Sequence, residues 1–229
     1  MALTYEDIRD EFQKRCVNDK RADALFNQIA SGKATYQTVS EYSVRVGNIL
    51  ADIFRQNAPL DDISEWDLED LIPKSLGMNH RLVSKCCEMV QDQMNKDAKL
   101  GIRYQEPVFN SDRAYGLVGE LKNAESFSDV EARFYDQVTN FTQNIVDEAI
   151  QANARVLNNA GVKAYVIRHA EYKACEWCKD LEGSYDYWEV RNTGNDVWRR
   201  HEGCRCTIDF RCEKNSGSYT ERVNNYKKK

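Results

Sequence analysis

Two short cysteine clusters near the C-terminal end constrain this chain more than any other feature. Cys175-x-x-Cys178 is followed, after 22 residues, by His201-x-x-Cys204-x-Cys206. A C-x-x-C turn sets two thiolates on one side of a point, and a second short cluster closes the other side. Together they match the four soft or borderline ligands that tetrahedral zinc takes. Cys175, Cys178 and His201 are three of the expected ligands. The fourth is Cys204 or Cys206, because alternate residues of an extended segment point the same way and either sulfur can reach the metal. Cys212 is a weaker candidate. A shell filled by protein ligands predicts a structural ion, one per chain. A module of about 50 residues also needs such a staple, since so short a segment buries little surface.

The rest of the cysteine usage agrees with a reducing compartment. Five of the eight cysteines fall between Cys175 and Cys212, and the N-terminus, Met1-Ala2-Leu3-Thr4-Tyr5-Glu6-Asp7, lacks the basic and apolar regions of a secretory signal. Cys16, Cys86 and Cys87 sit in helix-like stretches and read as small core residues. No run of about 18 apolar residues suggests a membrane span. Charge is uneven: from Lys163 onward 14 Lys and Arg face 11 Asp and Glu, against 18 and 26 before it, so an acidic body (net -8) carries a mildly basic end (net +3). That profile suits a chain that mainly touches other proteins.

Ahead of the clusters the periodicity is helical. A first helix begins after Thr4, with Asp7 completing a capping box, and breaks near Asn18 before Ser31-Gly32 ends it. A second covers about Thr35 to Gln56 and stops at Pro59. A short acidic helix is expected from Asp61 to Leu71 before Pro73, another beginning at Asn79 as its cap, an irregular stretch from Gly101 to Asn110, and a short helix over Arg113–Leu121. The longest pattern starts at a Ser128/Glu131 capping box and repeats through Val130, Phe134, Val138, Phe141, Ile145, Ala149, Ala152 and Val156 to a Gly161 stop. It is either a core helix or one that spans the body or packs on another copy. The period then changes to strands at Ala164–Arg168 and Thr207–Phe210, with a hairpin and loop over Gly183–Trp188. Trp177, Trp188, Trp198, Tyr185 and Tyr187 are expected to form a minor core or, as the alternative, an exposed aromatic surface for bases or a partner. The expected architecture is mainly α, with a small C-terminal α+β zinc-binding module. It divides into a helical part over 1–125, a long connecting helix over 126–162, a β-rich module over 163–212 and a flexible polar tail over 213–229.

No catalytic constellation accompanies the clusters. G-x-x-x-x-G-K-[ST], G-x-S-x-G and the kinase set are absent, as is the H-x-E and P-C-x-x-C pattern of zinc deaminases. His80 follows a helix cap with no nearby Cys or acid pair suggesting catalysis, and His169 reads as a surface or hairpin residue rather than a ligand. Arg199, Arg200, Arg205 and Arg211, with Arg191, make a basic cluster that is either a solvated face or a contact for nucleic-acid phosphates.

The stretch Ala174-Cys175-Glu176-Trp177-Cys178-Lys179-Asp180-Leu181-Glu182-Gly183, followed by His201-Glu202-Gly203-Cys204-Arg205-Cys206-Thr207, resembles the C-terminal domain of phage Mu F-like minor head (head morphogenesis) proteins. That family has C-x-x-C, a short L-x-G turn and H-x-x-C-R-C leading into a strand, preceded by a long helix and a strand. The resemblance covers roughly Phe134 to Cys212. This chain departs at Glu202-Gly203, where proline and asparagine are common, and carries a longer aromatic insert. The resemblance implies a non-enzymatic virion component at the portal or capsid interior, present in the host cytoplasm during assembly. Its partners would be the portal protein, the major capsid protein or both, with packaged double-stranded DNA and its ejection as further roles. The long helix offers a surface for self-association, and no membrane is involved. A zinc-ribbon nucleic-acid binder is the alternative reading, and a nuclease or toxin effector a more distant one.

Overall fold

The computed structural model describes residues 3–58, 63, 66–192 and 194–213. Pro59 and nearly all of the polar tail, 214–229, lie outside the described residues. Helices dominate: α1 (Tyr5–Asn18), α2 (Lys20–Ala30), α3 (Tyr36–Asn57), α4 (Leu68–Asp97), α5 (Ser111–Asn123) and α6 (Glu131–Asn159). A small antiparallel sheet follows, built from β1 (Ala164–His169), β2 (Gly183–Asp186) and β3 (Thr207–Cys212) in the order β2-β1-β3. Two short helices, α7 (Glu176–Asp180) and α8 (Tyr187–Val190), interrupt its loops.

Local signals account for most boundaries. Thr4 and Asp7 form a reciprocal capping box at α1, and Asp19 both ends α1 and caps α2. Gly32, at φ 69, turns the chain after α2. Thr35 caps α3, whose Val39, Tyr42, Val46, Ile49, Leu50 and Ile53 are all buried as their spacing predicts. Gly161, at φ 77, follows α6 and redirects the chain into β1.

Four expectations need correction. The helix before Pro73 and the helix after it are one element. Pro73 forfeits a hydrogen bond to Glu69, but Leu71, Ile72 and Leu76 are buried around it and their packing outweighs one missing bond. Asn79 is therefore not a cap. It is buried in mid-helix, where its amide donates to the Thr142 hydroxyl on α6 at 2.9 Å. Nor do Ser128 and Glu131 form a capping box. Phe127 is drawn into an aromatic cluster with Trp66, Phe134 and Tyr135, and its burial coils 127–129 into a single 3-10 turn capped by Ser126. Helix α6 thus starts after Val130 without a side-chain cap. Finally, Tyr187 and Trp188 belong to α8 rather than to a loop, Trp188 is 55% exposed, and Tyr187 and Trp198 are buried in the main core with Tyr185 packed against it, so the expected aromatics do not form a separate core.

Helix α6 is a core element. It packs most extensively on α3, then on α4, and it also touches β1 and β3. One apolar core runs from Ile8 through Phe54, Phe134 and Ile145 to Val166 and Phe210, so helices and sheet share it. The sheet is also tied polarly to α3. The buried Asp209 carboxylate accepts from the Gln37 N–H (3.3 Å), and the Ser40 hydroxyl donates to the Ile208 carbonyl (3.0 Å). At the α3–α6 crossing Gly47 has no room for a side chain: a Cβ there would lie 3.0 Å from Thr139 Cα and 3.1 Å from Thr142 Cβ. Gly47→Ala is accordingly expected to destabilise the fold by about 1–3 kcal/mol, although alanine is the better helix former by about 1 kcal/mol. The urea unfolding midpoint reads this directly, and a stabilised variant would show that the crossing is looser than described.

Candidate metal centre

Both cysteine clusters fold into tight turns. Cys175 is the N-cap of α7, and the Lys179 N–H bonds back to its carbonyl at 3.0 Å, which brings Cys178 round to the same side. In the second turn the Cys204 N–H bonds to the His201 carbonyl at 3.1 Å, and Gly203 supplies the left-handed residue at φ 69. Glycine and asparagine are the residues that enter this region most readily.

These turns converge. Cys175, Cys178 and His201 form one group, and Cys178, Cys204 and Cys206 a second, with donor atoms within 4.8 Å of one another in each. His201 Nε2 lies 3.4 Å from the Cys175 sulfur and 3.2 Å from the Cys178 sulfur, and the Cys178 and Cys204 sulfurs are 3.9 Å apart. On a tetrahedron with metal–sulfur bonds of about 2.3 Å and a metal–nitrogen bond of about 2.0 Å, the edges are about 3.8 Å between sulfurs and about 3.5 Å between sulfur and nitrogen. The donor spacing thus fits the edges of a four-coordinate site. The His201 ring is oriented by its other nitrogen, Nδ1, which lies 2.6 Å from the Glu202 carbonyl. All five residues expected as ligands meet here, whereas Cys212 is buried in the main core and belongs to neither donor group. Cys16, Cys86 and Cys87 are helical residues that pack in or against the core, as expected.

The protein around the cluster favours thiolate at Cys204. The Cys206 thiol donates to Cys204 and, with the nearby Arg200 and Arg168 guanidiniums, holds the Cys204 thiol well below its ordinary pKa. That hydrogen bond and burial push Cys206 the other way, and burial raises Cys178.

Arg168 is the functional residue that the sequence did not disclose. It is 1% exposed near the C-terminal end of β1. Its Nη1 donates to the carbonyls of Val197 (2.6 Å) and Arg199 (2.9 Å), and its Nη2 to the Cys178 sulfur at 3.6 Å. No carboxylate of a described residue pairs with it, and its partners are these carbonyls and the Cys178 sulfur. Its guanidinium also lies 5.4 Å from the centre of the Trp177 ring, which stands edge-on to His201. A single arginine in a strand carries no spacing signal, and only the assembled site shows its partner.

The arginines expected to form a basic face separate into two kinds. Arg200 turns inward, its side chain 8% exposed, and grips Asp147 of α6 with two bonds of 2.7 and 2.8 Å. Arg205 reaches Asp136 of the same helix at 2.7 Å. Arg199 stays outside and pairs with Asp196, while Arg211 lies 4.8 Å from the Tyr165 ring centre. Two of the four therefore lock the turn to α6 rather than face a nucleic acid. With its amide oriented to suit its neighbours, Gln143 of α6 adds a bond to the Cys204 carbonyl at 2.9 Å.

No family model, curated protein or solved structure matches this chain.

Proposed function

We propose that this chain is a phage minor capsid (head morphogenesis) protein of structural, non-catalytic role, whose C-terminal turns are stapled by one zinc ion. The observation that carries the reading is the convergence of Cys175, Cys178, His201 and Cys204 on one tetrahedron-sized space directly after a long helix and a strand. That order of elements and those residues are what the minor head family resemblance rests on. Three thiolates and an imidazole in a tetrahedral arrangement favour zinc over harder cations. Cys204 is the fourth ligand in this reading because its sulfur lies 3.9 Å from that of Cys178, close to the sulfur–sulfur edge of a tetrahedral site. Cys206 then stands next to the shell as a hydrogen-bond donor. Five candidate donors around one point leave no need for water as a ligand, which supports a structural rather than a hydrolytic role. The reading places the protein in the virion, against the portal or capsid interior.

A zinc-ribbon nucleic-acid binder is less well supported, because Arg200 and Arg205 are engaged by Asp147 and Asp136. Two measurements test the preferred reading. Elemental analysis should find one zinc per chain in the wild type and in Cys206→Ser, and far less in Cys204→Ser. Equal retention in both variants, or loss only in Cys206→Ser, would reverse the assignment of the fourth ligand. Particles assembled from co-expressed portal and capsid proteins should retain the chain through density-gradient purification. Its absence from such particles would remove the structural-virion reading while leaving the metal site intact.

A further inference from the structure

A cleft of about 540 Å³ opens beside the cysteine–histidine cluster, between α5, α6 and the His201–Glu202 turn, and the arginines that line it are not equivalent. Arg200 is saturated by Asp147 and by the Cys206 carbonyl. Arg133, on the α6 wall, pairs with Glu120 of α5 through one Nη and keeps its other donors. Arg113, on the α5 wall, forms no side-chain hydrogen bond or ion pair with any described residue. The centre of its guanidinium lies 5.6 Å from the centre of the Phe141 ring, a contact that uses none of its N–H groups.

Apart from the Phe141 ring, every local influence on Arg113 except two disfavours its charge. It is half-buried, it stands in the first turn of α5, where the helix dipole is positive, and Arg200 lies near enough to repel it. The opposing influences are Glu148 and Asp147. Asp147 is committed to Arg200. Glu148 accepts from Asn144 at 2.6 Å and from Asn110, and burial shifts its carboxyl toward the neutral form. A half-buried guanidinium with its donors unused, lining one cleft with a second arginine from the neighbouring helix, suits planar, bidentate recognition of an oxyanion, with Glu120 and Glu202 as the carboxylates an anion must avoid.

We infer that this cleft binds a phosphate-sized oxyanion, held by Arg113 from α5 and Arg133 from α6. The site adjoins the metal centre at His201, but its arginines are not metal donors, and the inference does not depend on the virion reading. Its anion comes either free or as a phosphodiester of a nucleic acid, and the two sources separate experimentally.

The test uses the full chain at constant ionic strength, with inorganic phosphate followed by calorimetry and a short labelled DNA duplex by fluorescence anisotropy. Metal content is measured in every sample, so that a disturbed cysteine cluster is not mistaken for a lost anion site. Phosphate should bind at one saturable site, and Arg113→Gln should weaken it at least tenfold, with Arg113→Lys in between because charge survives without the fork. Arg133→Gln, at the opposite wall, should also weaken it at least tenfold and serves if Arg113→Gln does not fold. Displacement of the duplex by phosphate, with both lost in the variants, identifies a phosphodiester. Phosphate binding without duplex binding identifies a free anion. The inference is overturned if neither probe saturates, or if the glutamine variants that fold bind as the wild type does. In that event Arg113 is only the distant charge partner of Glu148.

Discussion

Cys178→Ser is expected to reduce bound metal from one ion per chain to nearly none and to leave the segment from about Ala170 to Cys206 open to proteases, while the helical signal persists. Cys178 is the one residue common to both donor groups, so its loss breaks each of them. A serine hydroxyl stays protonated and is a poor ligand for a borderline-soft ion. Outer-shell substitutions at metal sites cost about 10–100-fold in affinity, and loss of an inner ligand should exceed that range. The consequence is local because of how the core is divided. Cys178, Cys204 and Cys206 cluster apart from the main core, with Ala170 and Ala174 as the apolar neighbours packed against them. So little apolar area cannot hold two turns together, and metal affinity there acts as folding energy. Helices α1 to α6 pack around a core that this substitution does not touch. Elemental analysis, limited proteolysis and circular dichroism together read the result. Full metal content in the variant would show that the remaining four donors suffice. A wild type purified without metal under reducing conditions would remove the site altogether. Burial favours the protonated Cys178 thiol, so binding must also displace a proton, and affinity should rise with pH until that displacement is complete.

The two turns were legible because ligand chemistry is encoded by residue type and short spacing, both of which survive without knowledge of the fold. The same holds for the helices whose apolar faces repeat cleanly, such as α3 with Val39, Val46, Leu50 and Ile53 at its buried face. Misreadings arose where a non-local contact outweighed a local rule. Pro73 looked like a stop, but the residues on either side of it are core. Ser128 looked like a cap, but Phe127 had a better use for that turn in the aromatic cluster. The arginines were the least legible. As a sequence, Arg199-Arg200-His201 and Arg205 are a patch of positive charge. Only the position of α6, with Asp136 and Asp147 one above the other facing the turn, shows that half of the patch is internal wiring. Arg168 is the extreme case, since its partners, the Cys178 sulfur and the carbonyls of Val197 and Arg199, lie 10 to 31 positions away.

That internal wiring makes Asp147→Ala the substitution expected to cost the most stability outside the cysteines. Asp147 is 1% exposed, and its carboxylate receives both Nε and Nη2 of Arg200, whose side chain is 8% exposed. Exposed ion pairs contribute little, about 0–1 kcal/mol, because water screens them and side-chain entropy opposes them. Here water is excluded on both sides. Removing the acid leaves a guanidinium that can neither lose its proton nor reach solvent, and breaking a buried pair in this way costs about 3–5 kcal/mol. Domains of this size are stable by about 5–15 kcal/mol, so the variant would lose a large share of that margin. Asp147→Asn retains the shape and part of the hydrogen bonding and should fall between. Asp147→Leu combined with Arg200→Leu removes both charges and should cost much less than either single change, because no charge is left stranded. The urea midpoints of the wild type, Asp147→Leu, Arg200→Leu and the double variant complete a double-mutant cycle, and its coupling energy isolates the pair. Arg200 also donates to the Cys206 carbonyl at 2.5 Å and lies 4.0 Å from the Cys204 sulfur, so the single variants should lose metal more readily than the wild type. A cost below about 1 kcal/mol for Asp147→Ala, with metal affinity unchanged, would mean that water reaches the pair and that α6 does not position the second turn.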